Sequence, residues 1–158
     1  MRHVLVGVGN PYRGDDGAGP AVAGRLRGSL PEGVEIVTCE QEASRVIDAF
    51  EGADSAVLVD AVSSGAEPGT VHRFDAADGP VPARAFRSST HAFGVGEAIE
   101  LARALGKLPA SVIVYGIEGS AFAAGEGLSP AVEGAVDRAA EAVLEELARE
   151  GEPCTSGR

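Results

Sequence analysis

The sequence contains no Trp, and only 4% of its 158 residues are aromatic. The core of such a chain must be built from Val, Ile, Leu and Ala, which suit buried strands and closely packed helices. Cysteine is also scarce, and the spacing of Cys39 and Cys154 matches neither a zinc site nor a disulfide framework. No apolar run approaches the roughly 20 residues of a membrane span, and no signal-peptide cleavage pattern is present. We therefore expect a cytoplasmic protein that does not insert into membranes.

Basic residues are few as well. Lys and Arg number 13 against 24 Asp and Glu, which gives a formal net charge of -11. A chain with this charge repels nucleic-acid phosphates unless a local basic patch intervenes, and the sequence contains none. These features exclude nucleic acid as an expected partner.

Strand-like and helix-like segments alternate along the chain. Apolar runs predict strands at residues 3–8, 34–37, 55–62, 70–74 and 111–117. Helical spacing predicts helices at residues 18–26, 44–50, 91–105 and from 129 onward. The alternation predicts an α/β fold with three layers: a doubly wound, mostly parallel five-stranded sheet with helices on both faces. The length predicts a single domain over residues 1–150, and residues 151–158 are expected to form a flexible tail.

The first loop is rich in glycine, which is typical of dinucleotide-binding turns. However, Pro11, Asp15 and Asp16 stand where the pyrophosphate would lie, so the sequence disfavours nucleotide binding. One of the two acids has an alternative role as the cap of the helix that begins at Ala18.

Asp60 and His91 are further candidates for chemistry. Burying a carboxylate is costly, so Asp60, which we place at the end of an apolar strand, is expected to be paired, exposed or bound to a ligand. Its alternative role is as a hydrogen-bond partner for the loop at residues 63–65. His91 opens a predicted helix, whose positive end favours a neutral imidazole that can bind a cation; a purely structural His is the alternative. Because Asp16, Asp60 and His91 all emerge at one edge of the predicted sheet, they can together bind a divalent first-row metal.

Several of these segments form a collinear pattern along nearly the whole chain. They are Gly7-Val8-Gly9-Asn10, Asp15-Asp16-Gly17-Ala18-Gly19, Leu58-Val59-Asp60-Ala61, Thr90-His91, Gly116-Ile117-Glu118 and Leu128-Ser129-Pro130. The pattern resembles the hydrogenase maturation protease family. The resemblance implies that Asp16, Asp60 and His91 form a nickel-contacting catalytic site.

The resemblance also implies a reaction: removal of the C-terminal extension of a nickel-iron hydrogenase large-subunit precursor after nickel insertion. The nickel would be carried by this precursor, and the free enzyme, expected to be a monomer, would not retain it. The chain departs from the family's Gly-Gly-Thr-like segment at residues 39–42, so we assign Glu40 and Glu42 to substrate selection; solvated surface acids are the alternative. Two other functions stay open at this point. One is a maturation chaperone that does not cleave, and the other is a peptidyl-tRNA hydrolase, which Gly9-Asn10-Pro11 suggests but the acidic charge opposes.

Overall fold

The structure is a computed structural model that describes residues 2–79, 95–125 and 127–150. Its strands are β1 (His3–Val8), β2 (Val34–Cys39), β3 (Ser55–Val62), β4 (Val71–Asp75) and β5 (Ser111–Glu118). Its helices are α1 (Ala18–Leu26), α2 (Ala43–Phe50), α3 (Val95–Ala104) and α4 (Pro130–Glu150), and a one-turn 3-10 helix (Gly14–Gly17) precedes α1. None of the helices in these ranges is both long and apolar enough to cross a membrane.

The five strands form one sheet in the order β2-β1-β3-β5-β4. Neighbouring strands are parallel except for β4, which pairs with β5 in the antiparallel sense at the edge of the sheet. This confirms the predicted mostly parallel sheet. β2 lies on one side of β1 and β3 lies on the other, so the strand order reverses there. In open α/β sheets, ligands bind beyond the carboxyl ends of the strands at such a switch point.

Helices cover both faces of the sheet, which confirms the three predicted layers. In β1, Val4, Val6 and Val8 belong to the cluster that packs under α2 and α3, whereas Leu5 belongs to the cluster under α1 and α4. Because both faces are covered, the three inner strands β1, β3 and β5 have no solvent-exposed face, and this explains their nearly continuous apolar runs.

β2 extends two residues further than predicted, whereas β3 has the predicted bounds. β2 continues to Cys39 because its pairing with β1 persists to that residue. The pairing of β3 with β5 includes the two residues after Asp60, as far as Val62. Asp60 therefore lies within β3, and the prediction that it ends the strand is wrong. The proposed start of a helix at His91, most of the predicted loop at residues 76–90 and the tail at 151–158 lie outside the described residues.

Two glycines of the first loop and α1 allow backbone segments to approach closely. A Cβ atom on Gly19 would lie 2.3 Å from the carbonyl oxygen of Val59 and 2.4 Å from that of Val8. Gly9 has a φ of +143°, and a Cβ atom there would lie 2.0 Å from the carbonyl oxygen of Asp16. These glycines therefore serve the packing of the first loop and α1 against the sheet.

Candidate active site

Asp16 lies in the 3-10 helix between β1 and α1, and its side chain is buried. Its Oδ2 atom accepts a hydrogen bond from the backbone N–H of Asn10 at 2.9 Å, and its own backbone N–H donates to the carbonyl oxygen of Arg13 at 3.1 Å. These bonds fold the loop back on itself directly after β1. The carboxylate of Asp16 is thereby held near the carboxyl end of that strand.

Asp60 is fully buried within β3. Its Oδ1 atom accepts two hydrogen bonds, one from Nε2 of Gln41 at 2.9 Å and one from the backbone N–H of Ala61 at 2.8 Å. Its Oδ2 atom is also buried and has no hydrogen-bond partner among the described residues. One carboxylate oxygen is thus fixed by the protein, and the other remains available to a ligand.

Burial raises the pKa of Asp60 well above its ordinary value, and the nearby charge of Asp16 raises it further. The hydrogen bonds from Gln41 and Ala61 act in the opposite direction and favour the ionised form. Two acidic groups therefore interact across the switch point between β1 and β3. An arriving cation would relieve both the repulsion and the desolvation of such a pair.

Cys39 ends β2 beside this acidic pair and is half-buried. Burial, together with the negative charge of Asp60, raises the pKa of the Cys39 thiol to about 11. A thiol with this pKa stays protonated near neutral pH, and the thiolate is the reactive form. The surroundings of Cys39 do not activate it as a nucleophile.

Asp15, the neighbour of Asp16, joins the first loop to the segment before α4. Its carboxylate accepts hydrogen bonds from the backbone N–H groups of Ser120, Ala121 and Ser129 at 2.7–2.9 Å. Burial raises the pKa of Asp15, but these bonds outweigh that effect and hold its pKa below its ordinary value. Neither acid is the cap of α1, because the N-cap residue is Gly17 and no side chain caps it. Asp15 thus anchors the loop that carries Asp16.

Glu118, and not Asp60, forms the hydrogen bonds to the loop after β3. The alternative prediction, in which Asp60 is the hydrogen-bond partner of residues 63–65, is therefore wrong. The carboxylate of Glu118 accepts hydrogen bonds from the backbone and hydroxyl groups of Ser64 at 2.8 Å and 2.6 Å, and from the backbone of Gly65 at 3.2 Å. Burial raises the pKa of Glu118, but these bonds and a contact with His72 lower it below its ordinary value. Asp60 is thereby left without a structural role in that loop.

Two of the three predicted metal-contacting residues can be placed. Asp16 and Asp60 come together at the switch point, as predicted, whereas His91 lies outside the described residues. Within residues 2–79, 95–125 and 127–150, no group of three or more His, Cys, Asp and Glu side chains has the arrangement of a metal site.

Glu40 and Glu42 are both exposed, and they flank a buried residue that the sequence analysis passed over, Gln41. Glu42 forms an ion pair with Arg45 at 2.7 Å on the surface of α2. Gln41 contacts Asp60, so the segment after β2 borders the acidic pair. A polar residue between two acids carries no sequence signal for burial, since the periodicity of β2 has already ended there.

The fold and the site together define a class of protein. It is a doubly wound α/β protein with a buried acidic pair at its topological switch point, and such a pair is suited to a cation or to a substrate that carries one.

Comparisons with known proteins give the family. Residues 21–146, which include Asp60 and His91, match the family model described as hydrogenase maturation protease. A putative hydrogenase maturation protease of Methanocaldococcus jannaschii is 29% identical over 161 residues, covering 91% of this chain and 95% of that protein. Hydrogenase 2 maturation protease of Escherichia coli is also 29% identical, over 155 residues that cover 96% of this chain and 93% of that protein.

Solved structures agree with these sequence matches. The solution structure of an endopeptidase from Escherichia coli is 27% identical, with a TM-score of 0.80 over 96% of this chain and 94% of that one. A [NiFe] hydrogenase maturation protease from Thermococcus kodakarensis is 25% identical, with a TM-score of 0.69 over 93% of this chain and 92% of that one. The chain belongs to the hydrogenase maturation protease family, and it is a hydrolase that acts on peptide bonds.

Proposed function

We propose that this protein cuts one peptide bond near the C-terminus of a nickel-iron hydrogenase large-subunit precursor after nickel has been inserted. Asp16, Asp60 and His91 contact the nickel that the precursor carries. The observation that carries this proposal is the buried Oδ2 atom of Asp60, which has no partner among the described residues and lies beside a second acid.

The electrostatics of the acidic pair favour a precursor that carries a divalent cation over one that does not. Two interacting carboxylates in a buried site repel each other, and burial opposes the ionisation of Asp60. A divalent cation offsets both effects, so a nickel-loaded precursor gains binding free energy that a nickel-free precursor lacks. Carboxylate and imidazole groups are suitable ligands for such a cation. The pair therefore discriminates the loaded precursor from the unloaded one.

The same contact also supports catalysis. A cation next to the scissile bond polarises its carbonyl group or a bound water molecule. Asp60 contributes by holding one oxygen towards the substrate while Ala61 and Gln41 fix the other oxygen. A cytoplasmic location and a monomeric state remain predictions, and gel filtration of the purified protein tests the second.

The direct test uses the purified protein with nickel-loaded and nickel-free precursor, followed by intact-mass measurement. We expect a shortened product from the loaded precursor only. Binding without shortening would instead support the chaperone alternative. Cleavage of both precursor forms at equal rates would contradict recognition of nickel. The peptidyl-tRNA hydrolase alternative is disfavoured by the family match and by the net charge of -11.

Cys39 is not expected to act as the nucleophile, because its pKa of about 11 keeps the thiol protonated near neutral pH. Cys39→Ser is expected to process the precursor within about threefold of the wild-type rate, and thiol alkylation is expected to leave cleavage intact. Processing rates of the folded variant and of the alkylated protein check this. Loss of activity in a folded Cys39→Ser protein would contradict it.

Glu40 and Glu42 are proposed to select the precursor, since both are exposed next to Gln41. Solvent-screened contacts of this kind contribute about 1 kcal/mol each, so we expect Glu40→Gln combined with Glu42→Gln to lower kcat/KM several-fold to tens-fold. The measurement is the rate of processing at subsaturating precursor. An unchanged rate would leave the two acids as surface charge.

A further inference from the structure

Gln41 stands out among the buried polar residues because the oxygen of its side-chain amide has no hydrogen-bond partner in the part of the chain that the structure describes. The residue is 6% exposed and follows β2. Its Nε2 atom donates to Oδ1 of Asp60 at 2.9 Å, whereas its Oε1 atom is buried and has no hydrogen-bond partner within the described ranges. A buried acceptor without a partner lowers the stability of a fold, so it requires an explanation.

Local structure does not supply that explanation. The N-cap residue of α2 is Glu42, and no side chain forms a cap hydrogen bond there. Gln41 is therefore not the cap of this helix. A Leu or Met in its place would fill the site without leaving an unused oxygen. Among the described residues, Asp60 alone orients the amide of Gln41 through a hydrogen bond.

A second unused acceptor lies on the residue that Gln41 holds. The Oδ2 atom of Asp60 is buried and lacks a partner among the same residues. Oε1 of Gln41 and Oδ2 of Asp60 thus belong to two side chains that a hydrogen bond between their other polar atoms joins at the switch point. Since Oδ1 of Asp60 already accepts two hydrogen bonds, Oδ2 is the atom available to a cation.

We propose that Gln41 is a substrate-binding residue with two functions, an inference that rests on the proposed function. Its Nε2 atom orients Asp60 so that Oδ2 faces the bound metal. Its Oε1 atom accepts a hydrogen bond from a backbone N–H group of the precursor segment that is cut. A neutral carbonyl oxygen suits this donor, because every peptide residue except proline carries a backbone N–H group.

Two variants separate this role from a structural one. Gln41→Leu removes both the donor and the acceptor, and Gln41→Glu keeps the shape but replaces the donor to Asp60 with a second acidic oxygen. We expect each variant to lower kcat/KM for the nickel-loaded precursor by about tenfold to a hundredfold, with KM raised in Gln41→Leu. Melting temperature is measured in parallel, and for Gln41→Leu it is expected to equal or exceed that of the wild type. Ser44→Ala, an exposed change in the first turn of α2, serves as the control and is expected to behave as the wild type.

The outcomes distinguish this inference from the proposed function. Failure of the wild-type protein to shorten loaded precursor would overturn the function itself. Shortening by the wild type together with wild-type kcat and KM in both Gln41 variants would overturn the inference alone. A loss of activity in Gln41→Leu that follows a lowered melting temperature and disappears on cooling would also overturn it, because that pattern marks a structural role.

Discussion

Replacement of Asp60 by Asn is expected to abolish processing of the precursor without unfolding the protein. The change keeps the size of the side chain but removes the negative charge that we propose contacts nickel, so kcat/KM should fall about a thousandfold or more. Asp60 is fully buried, and burial opposes its ionised form. The free energy of unfolding is therefore expected to stay the same or to rise by about 1 kcal/mol. Intact-mass kinetics and denaturant unfolding measure the two effects.

Asp48→Asn is the matched control for this prediction. Asp48 lies on the exposed side of α2, so the same chemical change there should leave both rate and stability at wild-type values. Asp16→Ala and His91→Ala are expected to lose processing as Asp60→Asn does. If two of the three site variants process loaded precursor at near wild-type rates, the assignment of the site is wrong.

Replacement of Gly19 by Ala is expected to destabilise the whole domain. The added Cβ atom would lie within 2.4 Å of two carbonyl oxygens, on Val8 in β1 and on Val59 in β3. Both contacts are with backbone atoms, which cannot move aside as the end of a side chain can. We expect a loss of at least about 3 kcal/mol from the free energy of unfolding, measured by denaturant titration.

Gly24→Ala in the same helix provides the control. A Cβ atom on Gly24 would meet nothing within 4 Å, and the residue is exposed. Because Ala is a better helix former than Gly, this change should leave stability unchanged or raise it by about 0.5–1 kcal/mol. Equal stability of the Gly19→Ala and Gly24→Ala proteins would show that α1 does not pack on the sheet as described.

The fold was accessible from the sequence because its signals are local. The apolar runs at residues 3–8, 55–62 and 111–117 are long enough to indicate buried strands without knowledge of their partners. The alternation of strands with helices then restricts the topology to a doubly wound sheet. The end of β2 was less accessible, because β2 extends as far as its pairing with β1 persists, and pairing is a property of two segments.

The site was only partly accessible from the sequence. Asp16 and Asp60 were predicted to meet because the carboxyl ends of parallel strands share one edge of the sheet. The sequence by itself determined the α/β class and the acidic character, and it predicted that these two acids lie together. Only the tertiary structure showed that Asp15 anchors the first loop while Asp16 lies beside Asp60. Only the tertiary structure, too, showed that Glu118 forms the hydrogen bonds to the loop after β3. It also showed that Gln41 holds Asp60, since hydrogen bonds between residues distant in sequence depend on side-chain positions that no local pattern encodes.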